Sequence, residues 1–272
     1  VSSQELSSVL LDKMKIKYLI LGPGAMGYFS FLGLCSALSS NLDDVQEISG
    51  ASAGAILALF IGSGMPMDKI IDISFRTDLT ELVKYNIKNV LNDFGFISHS
   101  QIKNILIDIC EGDPKFKDLK KKIYISAYNV NLSRTEYFSV DTHPEMSVID
   151  AVCMSISVPV MFCAVEHNGM HYVDGGTTEK IPAPPFLDKK FDEVLAVRLL
   201  YSSINVEKFT NVLDYLNCLM KSVLNNRTDY ENMFNYIDID LSDVNVFDFH
   251  MTEDDKIKLF IRGQKMLTTN NI

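Results

Sequence analysis

Three short stretches carry residue types at spacings that could do chemistry. Gly50-Ala51-Ser52-Ala53-Gly54 is a G-x-S-x-G. A strand that turns sharply into a helix strains the middle residue, and small residues two positions either side let strand and helix approach closely. The Ser52 hydroxyl would then stand at the edge of a sheet and at a helix N-terminus, where the dipole and free amides favour negative charge. That is the setting of a nucleophile, although small residues alone also match the pattern. Gly22-Pro23-Gly24-Ala25-Met26-Gly27 is a G-x-G-x-x-G with three readings. It could seat a pyrophosphate on a helix N-terminus, aim backbone amides at a tetrahedral oxyanion, or form a plain turn. Asp174-Gly175-Gly176 completes the set. An Asp before two glycines serves as a turn residue or, with a serine nucleophile upstream, as its general base.

The elements that must position these residues are legible nearby. Lys17–Leu21 is a short apolar run that reads as a buried strand, and Gly27–Leu38 has helical spacing. Val45–Ser49 reads as a second strand and Ala53–Ile61 as a helix of small and apolar residues. Strand, glycine turn, helix, repeated, predicts a parallel sheet with helices on its faces. This placement weighs on the G-x-G-x-x-G. A dinucleotide site needs an acidic residue about 20 positions on, at the end of the second strand. Asp43 and Asp44 precede that strand, Glu47 lies within it, and its end runs into the serine turn. Pro23 has no N–H and cannot donate, so an oxyanion hole would draw on the amides of Gly24, Ala25 and Ala53.

Helices are expected from Asp68, over Thr80–Leu91, Ser100–Cys110 and Ser147–Ser157, the last stopping before Pro159. Strands are expected at Lys122–Val130, Glu136–Val140 and Glu193–Leu199, with Val160–Glu166 and His171–Val173 joined by the hairpin signal Asn168-Gly169. Beyond Ser202 the chain reads as helices at Val206–Leu224 and Glu253–Leu267, separated by an acidic loop near Asp238–Asp248. No linker or repeat divides it. One domain over residues 17–200 is expected, with a mainly helical extension, 201–272, packed on it.

Composition narrows the function. In 272 residues, 25 Lys and Arg stand against 35 Asp and Glu, a net charge of −10. That argues against nucleic acid as partner and against a strongly basic membrane anchor. Cys35, Cys110, Cys153, Cys163 and Cys218 are odd in number, lack tight spacing and read as buried free thiols. No metal-ligand pattern appears and no cofactor is expected; Asp238, Asp240 and Asp243 read as a solvated face. The first residues, VSSQELSSVLLDKMKIK, lack a basic segment followed by an apolar one, so no signal peptide is expected. The longest apolar stretch, around Ala55–Ile61, falls short of the roughly 20 residues of a membrane span. An intracellular protein is expected, soluble or peripherally membrane-associated. A triad in α/β-hydrolase order would need a histidine after Asp174, where only His250 occurs; His99, His143, His167 and His171 read as structural. Met65, Met67, Met161, Phe94 and Phe96 read as core residues first and acyl-groove residues second.

Taken together, GPGAMG after the first strand, GASAG after the second and the later DGG resemble the patatin-like phospholipases. Ala151–Phe162 is similar to the family's segment of small residues, Ser, Pro and Phe before the DGG hairpin, and Pro182 matches a proline just after it. The resemblance covers about Lys17 to Pro185. It implies a three-layer α/β sandwich with a mostly parallel central sheet. It further implies acyl-ester hydrolysis by a Ser–Asp dyad through an acyl-enzyme, with Ser52 as nucleophile and Asp174 as proton acceptor. Gly22, Gly24 and Gly27 match the oxyanion motif, Gly50 and Gly54 the elbow, Gly175 and Gly176 the DGG. The substrate would be a phospholipid or other acyl-lipid at a membrane or micelle surface. Two departures stand out: Pro23 replaces a common glycine, and Met26 occupies a position where many members carry Lys or Arg. The competing functions are a non-catalytic lipid-binding protein and a nucleotide-binding oxidoreductase.

Overall fold

The structure is a computed structural model that describes residues 15–78, 80, 84–201, 215, 218, 227–230 and 232–268. Its first half follows the glycine turns. Strand β1 (Tyr18–Leu21) leads through the G-x-G-x-x-G into α1 (Tyr28–Ala37), and β2 (Glu47–Gly50) leads through the G-x-S-x-G into α2 (Ala53–Gly62). Next come α3 (Met67–Arg76), α4 (Ile87–Asp93), β3 (Gly95–Ile97) and α5 (Ser100–Ile109). The second half holds β4 (Lys122–Asn129), β5 (Arg134–Phe138), α6 (Val148–Ser155), β6 (Val160–Phe162), β7 (Val165–His167), β8 (Met170–Asp174), β9 (Val194–Leu200), β10 (Asn235–Asp240) and α7 (Glu253–Thr268).

The main sheet runs in the order β10-β9-β1-β2-β4-β8-β7, with β5 pairing β4. From β10 to β4 every pairing is parallel, while β5, β8 and β7 join antiparallel. A parallel sheet buried on both faces needs apolar residues at both parities, and β1 supplies them. Leu19 and Leu21 face the large core with Ile48, Leu195 and Val197. Ile20 faces a smaller cluster with Val194, Ala196, Ile181, Phe186 and Phe234. The architecture is the expected mixed α/β fold with a mostly parallel central sheet.

The chain after residue 200 adds to this sheet as well as covering it. Asp238 and Asp240, expected in a loop, lie in β10, which pairs with β9. Ile237 and Ile239, which alternate with them, are buried, and Asp238 holds Arg198 at 2.8 Å. Alternation of isoleucine and aspartate is the pattern of a half-buried edge strand, and the acidic parity disguised it. The expected Val206–Leu224 helix lies, apart from Tyr215 and Cys218, outside the described residues. Two further boundaries move. The Val160–Glu166 strand is split: β6 pairs with β3, and β7 pairs with β8 across Asn168 and Gly169, both at positive φ. The Thr80–Leu91 helix is, among the described residues, α4 alone, capped by the Asn86 side chain on the Lys88 amide.

Helix α7 crosses α1 at close range. A Cβ on Gly33 would meet the Phe260 carbonyl oxygen at 1.9 Å, and one on Gly263 would meet that of Ser30 at 1.9 Å. The Ser30 hydroxyl donates to the Leu259 carbonyl at this crossing. Gly263→Val is therefore expected to cost about 3 kcal/mol, the upper end for overpacking, read as a lowered midpoint in urea unfolding.

Candidate active site

Two residues separate β2 from α2, so the chain must reverse within them. Ser52 makes the turn at φ 54° and ψ −120°, a region side chains rarely occupy. The flanking glycines are a steric requirement here. A Cβ on Gly50 would sit 2.6 Å from the Gly54 carbonyl oxygen, and one on Gly54 would sit 2.3 Å from that of Leu21. The Ser52 amide donates to the Ser155 hydroxyl of α6 at 2.9 Å, which ties the elbow to the neighbouring layer. Strain of this kind costs about 1–3 kcal/mol and persists where the surroundings impose it. Ser52→Gly should relieve it. After glycine's own entropic cost of about 0.5–1 kcal/mol, a gain of about 1 kcal/mol is expected, visible as a melting temperature about 2–4 °C higher.

Asp174 ends β8, and its carboxylate accepts the Gly176 amide at 2.7 Å. Its own amide donates to the Ser157 carbonyl at 2.9 Å. Ser52 and Asp174 are both buried, at 5% and 4% exposure, and the fold brings them side by side although 122 positions separate them. Burial pushes the Asp174 carboxyl up to about 6, against the pull of the Ser52 hydroxyl, the Gly176 amide and the Arg227 guanidinium. An aspartate poised there is ionised at neutral pH yet basic enough to accept a proton.

The glycine-rich loop approaches from β1. Ala25 takes φ 44°, a second strained non-glycine residue next to Ser52. The Met26 amide is committed to the Val246 carbonyl at 2.9 Å, and that of Gly27 to Gly24 at 2.7 Å. Among the described residues, the amides of Gly24, Ala25 and Ala53 have no acceptor. Ala25, Ser52 and Ala53 line one cavity of about 160 Å³, and Gly24, between Pro23 and Ala25, is buried. Gly22 and Gly27 bracket the loop, and Gly175 and Gly176 follow the aspartate into a tight turn.

The cavity wall is apolar. Among the described residues Met26, Phe29, Ile56, Phe60, Leu106, Phe162 and Phe249 contribute, with Ser74 and Thr77 as the other polar residues besides Tyr28 and Ser52. The Ser74 hydroxyl is spent on the Ile70 carbonyl and on Tyr28. Met65, Met67, Met161, Phe94 and Phe96 are not in this wall. Met65 and Met67 pack on the main core, Phe96 and Met161 around Phe162, and Phe94 is 59% exposed. None of the five histidines lines the cavity; His99 bonds the Ser157 hydroxyl at 3.0 Å and is held neutral by burial, with its pKa pushed down to about 4. All five cysteines are free. Among the described residues no group of three His, Cys, Asp or Glu side chains could hold a metal, and no helix is long and apolar enough to cross a membrane.

The sequence profile of the patatin-like phospholipases matches residues 19–187. The chain belongs to that family. Among relatives of this patatin-like chain, an uncharacterized protein of Acanthamoeba polyphaga mimivirus is 29% identical over 198 residues, 69% of this chain and 66% of its own length. A probable lipid hydrolase of Invertebrate iridescent virus 6 is 23% identical over 220 residues, 72% of this chain and 76% of its own. VipD from Legionella pneumophila shares the fold, with a TM-score of 0.66 at 17% identity over 94% of this chain and 66% of VipD. The patatin-like chain thus spans about two thirds of the mimivirus protein and of VipD.

Three residues of this site carry no motif. Ser155 sits among the small residues of the Ala151–Phe162 segment with nothing to set it apart, yet it holds the Ser52 amide. Arg227 donates to the Gly176 carbonyl at 3.0 Å, and Tyr201 is half-buried with Asp174 and Arg227 as its electrostatic neighbours. Neither has a local signal, because their partners lie far off in the chain.

Proposed function

We propose that this chain is a serine acyl-ester hydrolase that releases free fatty acid from phospholipids or other acyl-lipids. The observation that carries the reading is the strained Ser52, set beside buried Asp174 and opening onto an apolar cavity. In the first step Asp174 takes the Ser52 hydroxyl proton as the oxygen attacks the ester carbonyl. The amides of Gly24, Ala25 and Ala53 hold the oxyanion. The leaving alcohol takes the proton from Asp174, and an acyl-enzyme remains on Ser52. Water then gives a proton to Asp174 and attacks the acyl carbonyl. The second tetrahedral intermediate collapses, Ser52 recovers its proton, and the fatty acid departs. Each oxyanion donor is worth on the order of 2.7–4 kcal/mol to such a transition state. The apolar wall suits the acyl chain, since burial contributes about 0.8 kcal/mol per CH₂.

The family membership and the resemblance to a probable lipid hydrolase support this assignment. A panel of phospholipid, lysophospholipid and neutral glyceride, each as vesicles or micelles, tests it. Fatty-acid release is expected with EDTA present, because the proton acceptor belongs to the chain. Lipid binding without fatty-acid release from any member would favour a non-catalytic lipid-binding protein.

A further inference from the structure

We propose that Arg227 is a positioning residue for the reaction, supplying from the C-terminal part of the chain the fixed positive charge that the glycine-rich loop lacks. The inference rests on the Ser52–Asp174 reading above. Residues 22–27 contain no cation. Arg227 Nη1 donates to the Gly176 carbonyl at 3.0 Å, and the amide of the same glycine donates to Asp174 at 2.7 Å. Gly176 is also pressed on the loop, since a Cβ there would meet the Pro23 side chain at 2.5 Å. One residue thus touches the base, the loop and the guanidinium together.

The three residues after Arg227 anchor it. The Thr228 amide donates to the Thr178 carbonyl at 2.8 Å, and the Lys180 amide to the Thr228 carbonyl at 3.0 Å. Asp229 pairs with Lys180 at 2.6 Å and with Arg198 at 2.8 Å, and the Tyr230 hydroxyl donates to Glu179 at 2.9 Å. Residues 227–230 therefore form a strap bonded along the stretch just after Asp174. A strap fixed at this many points sets the distance of its leading cation from the aspartate. Burial works against the Arg227 charge as well as against the Asp174 charge. Each ion favours the other, and an arginine stays protonated throughout the working range.

Among the described residues, the groups that face Asp174 are few. Ser52 comes from the elbow, the Gly176 amide from its own turn, and Tyr201 and Arg227 from the C-terminal side. Ser157 takes the Asp174 amide and carries His99, which burial keeps neutral. Arg227 is the one cation among these groups. Its removal should raise the pH at which the base ionises, without altering the cavity that holds the substrate.

The test is the pH dependence of kcat and KM for Arg227→Gln and Arg227→Lys on a soluble fatty-acyl ester, beside the wild type. For Arg227→Gln the acid limb of kcat should move up by about one unit. The variant would then lose about fivefold at pH 6, approaching tenfold only below pH 5, and little at pH 9, with KM within about twofold. Arg227→Lys should restore the limb to within about 0.3 unit. An unmoved limb in Arg227→Gln, or an equal loss at every pH in both variants, overturns the proposal. If Arg227→Gln does not fold, Arg227→Lys decides alone: a limb near the wild type supports the proposal, and one raised by a unit overturns it. A wild type that neither hydrolyses the ester nor reacts at Ser52 overturns the dyad and this inference together. An active wild type with an unmoved limb in Arg227→Gln overturns only this inference.

Discussion

Ser52→Ala is expected to lose acyl-ester hydrolysis by about 10⁴-fold or more, the scale on which a serine hydrolase loses rate with its nucleophile. The fold should be untouched. Alanine keeps the backbone constraint at φ 54°, the flanking glycines still admit the close approach, and the amide still reaches the Ser155 hydroxyl. Free fatty acid measured over time, beside a melting curve within about 2 °C of the wild type, checks both halves. Together with Ser52→Gly, this variant separates two contributions of one residue. Both variants remove the oxygen, and only glycine releases the backbone.

Asp174→Asn is expected to lower hydrolysis by about 10³-fold or more, within the 10²–10⁴-fold range of general-base catalysis and its coupling to the nucleophile. The amide keeps the shape and the Gly176 contact but cannot take a proton. In the wild type the base is lost by protonation as pH falls through about 6. The rate should therefore level off above that pH and fall tenfold per unit below it. An unperturbed aspartate, near 3.8, would hold the rate to pH 4. Stability runs the opposite way. The folded carboxyl holds its proton more tightly than the unfolded one, so ionisation between about 4 and 6 costs the fold. From the pKa difference the cost is roughly 3 kcal/mol. The stability difference between wild type and Asp174→Asn should shift in the variant's favour by that order between pH 4 and pH 7. Urea unfolding at the two pH values measures it.

Much of this site is legible in the sequence because the constraints that make it are local. The reversals at Gly22–Gly27 and Gly50–Gly54 need small residues at fixed spacings, and β1, the strand feeding the first, is apolar at both parities. The parallel arrangement of β1 and β2 follows from that alternation. The features that escape a sequence reading are non-local or carry a misleading surface pattern. Arg227 lies 51 positions from the glycine it holds, and Ser155 lies 103 from the amide it accepts. In β10 the aspartates point away from the core, and one of them is half of an ion pair with Arg198; a solvated loop has the same composition. Val160 takes φ 70°, an outlier for a β-branched residue, and sits at the start of β6, where an apparently continuous strand is divided between two sheets. In these elements the decisive partner is distant in the sequence.

The most direct test of the Ser52–Asp174 dyad is to identify the residue that a fluorophosphonate modifies, by peptide mass spectrometry on the intact chain. One phosphonyl group on Ser52 is expected, formed in step with loss of lipid hydrolysis and slowed in Asp174→Asn. Hydrolysis that persists while Ser52 is fully modified, or a covalent adduct on a different serine that accounts for the inhibition, would contradict it.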